Sequence, residues 1–149
     1  MAVNIDKLAI SSPDIPSLQR IGREFSAAGG NKTPRLEVVG IPPRTVELSI
    51  VLHDPDAPMP HGFTHWVTHG ISAAEGPIAA EGARTGPNSA GEDSYIGPFP
   101  PPGHGTHHYY FWVYALDTHV KGNLSREEFL ERYANNIIEQ ARLVATYSA

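Results

Sequence analysis

The chain has 149 residues, a formal charge of −5, no cysteine, and fourteen each of glycine and proline. That is the length of one ordinary domain, read as residues 1–149, and it can bury a core without disulfides or a structural metal. The acidic balance, without any Lys/Arg cluster, argues against a nucleic-acid partner, and the lack of cysteine excludes a thiolate nucleophile and a disulfide framework.

From the N-terminus, M-A-V-N-I-D-K-L-A-I lacks the basic-then-apolar order of a secretory leader. No later run approaches the about eighteen apolar residues that would cross a bilayer. A soluble, cytoplasmic protein is expected. Residues 5–10 form a short apolar patch suited to an edge strand, followed by the turn S-S-P-D-I-P and a Gly-rich loop around Ala27 to Asn31. Leu36 to Ile41 predicts a second strand, stopped by Pro42 and Pro43, which have no N–H for a ladder. From Thr45 the pattern alternates, with Val46, Leu48, Ile50 and Leu52 on one face and Thr45, Glu47, Ser49 and Val51 on the other. This strand delivers its end to His53 and Asp54. After D-P-D-A-P and the loop M-P-H-G, Phe63 to Ile71 again reads as a strand. Strict alternation would put Phe63, His65, Val67, His69 and Ile71 on one face and Thr64, Trp66 and Thr68 on the other.

Ser72 to Ser94 has no sustained period and predicts a long surface excursion, with at most a turn of helix. His107 to Asp117 is the clearest strand, with Tyr109, Phe111, Val113 and Ala115 on the His107 face and Tyr110, Trp112, Tyr114 and Leu116 opposite. Large residues on both faces predict a central strand covered on both sides, and Trp66, Trp112, Tyr110 and Tyr114 are assigned to the core. Ser125 with Glu128 fits a capping box, and Phe129, Tyr133, Ile137 and Ala141 recur at i+4, predicting one amphipathic helix that ends the chain. Since basic residues do not flank it, the helix reads as docked rather than membrane-bound. The architecture expected is mostly β, a sandwich-like body with a peripheral C-terminal helix.

Chemistry concentrates in two stretches. Gly97 to Tyr109 reads G-P-F-P-P-P-G-H-G-T-H-H-Y, in which Pro100, Pro101 and Pro102 fix φ near about −65° and withhold backbone donors. The segment predicts a stiff wall ending in the polar tips of His107, His108 and Tyr109. The second stretch, around Asp54 and Asp56, adds carboxylates that can accept from an imidazole and so fix its tautomer. With His65 at a strand end, Asp54, Asp56, His65, His107 and Tyr109 can converge on a pocket. Phosphate would use imidazole N–H groups, the Tyr109 hydroxyl and a main-chain N–H such as that of Phe99 or Gly103.

Asp54-Pro55-Asp56-Ala57-Pro58, His65-Trp66-Val67 and Pro100-Pro101-Pro102-Gly103-His104-Gly105 leading to His107 and Tyr109 resemble the signatures of the phosphatidylethanolamine-binding protein family. The shorter prokaryotic, Raf kinase inhibitor-like branch is the nearest likeness. Order and spacing agree across residues 20–147, through Y-A-L-D at Tyr114 to Asp117 and A-T-Y at the end. The resemblance implies a large central antiparallel-type sheet packed on a smaller one, with an anion pocket for phosphate, a phosphate monoester or a phospholipid head group. It implies ligand-binding roles for Asp54, Asp56, His65, Phe99, Pro100, Pro101, His107 and Tyr109, with Pro98 and Trp66 nearby. It implies no catalytic residue, metal or cofactor. Family members are described as head-group binders and as modulators of kinases or proteases, and a homodimer is compatible with this reading. His108 stands where the family commonly has Arg, Gly70 where Asn is common, and Phe99 where close bacterial relatives carry a small residue. The missing Arg removes a fixed charge.

The alternative is a small hydrolase or lyase with a His–Asp general base. No G-x-S-x-G elbow, cysteine or P-loop accompanies it. The eight histidines invite a metal reading, yet on a strand His65 and His69 would lie roughly 13 Å apart. A site from Asp54, Asp56, His65 and His107 is the remaining metal alternative. His53, His61, His69, His104, His108 and His119 read as structural or exposed.

Overall fold

The fold was described from a computed structural model covering residues 7–79 and 82–149. Its elements in chain order are β1 (Ala9–Ser11), β2 (Glu37–Val39), β3 (Glu47–Asp54), β4 (Phe63–Ser72), β5 (Gly76–Pro77), β6 (Arg84–Thr85), β7 (His107–Leu116), α1 (Arg126–Tyr133) and β8 (Ile137–Tyr147). Single 3-10 turns lie at Arg23–Phe25 and Ala134–Asn136.

Every residue of β3 is buried, because it is the middle strand of a five-stranded sheet ordered β6-β4-β3-β7-β8. All the pairings in that sheet are antiparallel. A three-stranded antiparallel sheet, β1-β2-β5, faces it. Between them lie Ile10 and Val38 from the small sheet and Leu48, Ile50, Leu52, Ile71, Phe111 and Val113 from the large one. On the outer side of the large sheet, Val51, Val67, Tyr114 and Leu116 pack under Val120, Leu124 and Phe129. The result is the expected two-sheet sandwich with one helix near the C-terminus. The predicted first patch is an edge strand where it is described, residues 5 and 6 lying outside the described residues.

Four expectations need correction. The strict alternation along β4 does not hold, because its register against β3 slips twice. Leu48 pairs Ile71 but Ile50 pairs Thr68, and Leu52 pairs Trp66 but His53 pairs Thr64. Each slip inserts one extra β4 residue, a bulge that reverses the facing of the residues beyond it. His65 and Ile71 therefore face the small sheet, whereas Val67 and His69 lie on the helix side. The bulge between Thr68 and Ile71 takes Gly70 at φ +75, a conformation that glycine and asparagine tolerate best.

The helix also stops earlier than its stripe suggested. Ile137 onward pairs with β7 along an eleven-residue strand. A spacing of four satisfies a period of two as well as one of 3.6, so Ile137 and Ala141 fit either reading. The helix that remains has its capping box, Ser125 Oγ accepting from Glu128 N at 3.2 Å and Glu128 Oε1 from Ser125 N at 3.2 Å. Ser125→Ala is expected to cost about 1 kcal/mol in the urea unfolding midpoint, whereas an unchanged midpoint would show that Phe129 docking alone holds the helix.

The Ser72 to Ser94 excursion carries two short strands, β5 and β6, each pairing the edge of a different sheet. The aromatic assignment holds fully for Tyr114, while Trp66, Tyr110 and Trp112 are half-buried. β7 is an interior strand, but outer cover is incomplete at Tyr110 and Trp112, which stack on each other at 6.1 Å beneath the Arg142 guanidinium.

Candidate functional site

The ends of β3, β4 and β7 meet at one edge of the sandwich. Pairing of His53 with Tyr110 and of Asp54 with Phe63 sets the β3 terminus beside the starts of its two neighbours. The loops after Asp54 and before His107 close over this edge, and between them is a cavity of about 220 Å³. Asp54, His65, Phe99, Pro100, Pro101, His107 and Tyr109 line it, together with Ala57, Pro58, Met59 and Phe63. Asp56 is not among them. Its carboxylate turns to His108, accepting from the main-chain N–H at 2.7 Å and from Nδ1 at 2.8 Å. Trp66 is also elsewhere, against Tyr95 in a separate groove.

The floor is a buried hydrogen-bond chain. His107 Nδ1 lies 2.7 Å from Asp54 Oδ2, and both side chains are almost fully enclosed. Asp54 Oδ1 accepts from the Asp56 N–H at 2.8 Å, so each of its oxygens is engaged. The carboxylate only accepts, so His107 carries a proton on Nδ1. Its Nε2 then accepts from His104 Nδ1, 2.6 Å away, when both rings are neutral. Gly103 at φ +78 and Gly105 at φ +84 bend the loop that brings His104 to this contact.

His65 sits in a drier place. Its Nδ1 is 2.8 Å from the Ile96 carbonyl oxygen, and the rings of Phe63, Phe99 and Tyr109 surround it at 4.8, 5.5 and 5.3 Å between centroids. Burial holds its pKa down at about 4, against the pull of the Ile96 carbonyl and the Asp54 charge. The ring is therefore neutral at ordinary pH. Tyr109 is fully buried, and its hydroxyl finds no hydrogen-bond partner among the described residues. Burial, the negative charges of Asp54 and Asp56 and the approach of the hydroxyl to the Asp54 carboxylate, which falls short of a full hydrogen bond, push its pKa up and keep the phenol protonated.

Met59, Phe63 and His104 are the contributors that sequence reasoning passed over. Met59 and Phe63 bracket the P-H-G turn next to D-P-D-A-P, and His104 lies inside the second motif. Each was marked by position, though none by an ionisable pattern. Among the described residues, no group of three or more His, Asp or Glu side chains is placed to hold a metal ion. Nor is any helix there long and apolar enough to cross a membrane.

Comparison with known proteins gives concordant results. The sequence model of a family described as phosphatidylethanolamine-binding protein matches residues 11–148. A UPF0098 protein of Pyrococcus horikoshii is 36% identical over 140 residues, covering 85% of this chain and 70% of the relative. A UPF0098 protein of Mycobacterium tuberculosis is 34% identical over 148 residues, covering 95% and 71%. The crystal structure of Escherichia coli YbcL, described as a new member of the mammalian PEBP family, has a TM-score of 0.88 and 28% identity over 97% of this chain and 99% of that one.

Proposed function

Because the chain belongs to the phosphatidylethanolamine-binding protein family, we propose that the cavity at Asp54, His107 and Tyr109 binds the oxyacid group of a small ligand. Phosphate, a phosphate monoester or a phospholipid head group supplies that chemistry. The observation that carries the reading is the Tyr109 hydroxyl, buried and unpartnered on a preformed cavity. A buried polar group without a partner is costly, and a ligand oxygen would relieve it.

Phe63, Phe99, Met59 and the prolines give the remaining wall an apolar, stiff surface that would hold the organic part of a monoester or head group. The same proposal assigns the protein to the prokaryotic Raf kinase inhibitor-like branch, a reading that its motif spacing supports. A cytoplasmic location and modulation of a kinase or protease belong to the same proposal. The enzyme alternative would use the His107–Asp54 pair as general base. His107 Nε2, the nitrogen such a base would use, already accepts from His104.

Tyr109→Phe is expected to weaken inorganic phosphate binding, measured by calorimetry, by about tenfold or more. Fold stability should hold or rise, because the variant removes an unsatisfied group. Unchanged affinity would overturn the reading. Turnover of phosphate esters that disappears in His107→Ala would instead favour the enzyme.

A further inference from the structure

The hydrogen-bond chain leaves an unusual set of free atoms on the cavity. With both rings neutral, His107 offers no N–H to the cavity, since Nδ1 is given to Asp54 and Nε2 accepts from His104. The Ile96 carbonyl can only accept, so the single proton of neutral His65 resides on Nδ1 and its Nε2 is a bare lone pair. That nitrogen makes no hydrogen bond among the described residues. Tyr109 supplies one O–H. No Lys or Arg lines the cavity, while the Asp54 carboxylate does. The site therefore holds one free acceptor and one free donor beside a negative charge.

A fully ionised phosphate group suits such a site badly. It only accepts, so it would leave His65 Nε2 facing oxygen lone pairs, and its second charge would add to the repulsion from Asp54. A singly protonated group suits it well, giving a proton to one side and taking one from the other. Resting on the oxyacid reading above, we propose that the cavity selects the monoanion of a phosphate monoester, its own P–OH donating to His65 Nε2 while Tyr109 donates to another phosphoryl oxygen. The specificity is thus for a terminal, protonatable phosphate over a phosphodiester.

The groups that bear on His65 are Asp54 and His107 on the cavity floor, His53 on the neighbouring strand, the Tyr109 phenol, and the carbonyls of Ile96 and Gly97. Burial keeps His65 neutral down to about pH 4, so it does not change charge in the range that matters here. The ligand's second ionisation, near about pH 6, is what would move the affinity.

Methyl phosphate and dimethyl phosphate separate these effects. Below pH 6 both carry one charge, but only the monoester has a proton to give. Calorimetric titrations from pH 5.5 to 7.5 are expected to show methyl phosphate binding at least tenfold tighter than dimethyl phosphate at pH 5.5. Above the ligand's pKa its affinity should fall toward tenfold per pH unit. The two esters share one site and carry the same charge at pH 5.5, so their ratio there isolates the ligand's proton. The ¹⁵N shift of His65 Nε2 should stay in the neutral range and move on methyl phosphate binding. Equal affinities at pH 5.5, tighter binding of methyl phosphate at pH 7.5 than at 5.5, or an imidazolium signal from His65 would overturn the proposal while leaving an oxyacid site standing. If neither ester nor inorganic phosphate binds at millimolar concentration, the oxyacid reading falls with it.

Discussion

Between pH 6.5 and 4 the protein is expected to lose roughly 5 kcal/mol of stability, a loss comparable to the whole margin of many small proteins. Two buried histidines set this. His53 is pushed down to about 4 by burial, then by the positive charge of Arg126 and the neighbouring His65. His65 is lowered to about 4 by burial as well. Below pH 6.5 the unfolded chain takes up protons that the native rings refuse, so stability falls with pH until the native values are reached and then levels off. Each ring is worth at most roughly 3 kcal/mol over that interval. His69, buried against Phe129 and also lowered, acts in the same direction. Asp14, held at about 2 by the exposed Arg35, enters only below this range. Urea midpoints at pH 7, 5.5 and 4.5 measure the slope, and His53→Gln should remove close to half of it. Midpoints that do not move between pH 6.5 and 4.5 would contradict the buried, neutral state assigned to both rings.

Asp54→Ala is expected to cost about 3 kcal/mol and to abolish binding at the cavity. The carboxylate accepts from His107 Nδ1 and from the Asp56 N–H, and its removal strands both donors at a site where the Asp54 and His107 side chains exclude water. With its partner gone, His107 loses the contact that fixes its tautomer and the ring angle presented to His104. Asp54→Asn keeps one acceptor oxygen but sets an NH2 against the other donor, so it should recover about half of the stability. Chemical denaturation reads the cost, and the His107 ring ¹⁵N shifts read the tautomer. A loss under about 1 kcal/mol in Asp54→Ala, with unchanged His107 shifts, would mean the floor of the cavity is held by the loops alone.

Gly97 shows how little slack those loops have. A Cβ there would fall 2.0 Å from the Phe25 carbonyl oxygen, inside any permissible contact. The backbone is pinned from the other side by Asn31, whose Oδ1 accepts from Gly97 N and whose Nδ2 donates to the Tyr95 carbonyl. Ile96, between these two anchors, is thereby held where its carbonyl meets His65.

What the sequence determined by itself is whatever depends on neighbours in the chain. The alternation of β3 and β7, the Ser125–Glu128 cap, and the two proline-braced motifs are all local patterns, and they sufficed for the sandwich, the family likeness and most of the cavity wall. Tertiary structure decided the rest. The face each β4 residue takes depends on its pairing with β3, so the bulge between Thr64 and Trp66 separated His65 from His69, and the one between Thr68 and Ile71 returned Ile71 to the inner face. Residues 137–147 could follow either period until β7 offered a ladder. Asp56, alike in sequence to Asp54, turned to His108 because only one carboxylate reaches His107. The tautomer of His65, on which ligand choice rests, is set by a carbonyl thirty-one residues away. Short-range sterics and periodicity are written residue by residue, whereas the partner of a strand edge or of a ring nitrogen exists only once distant segments have met.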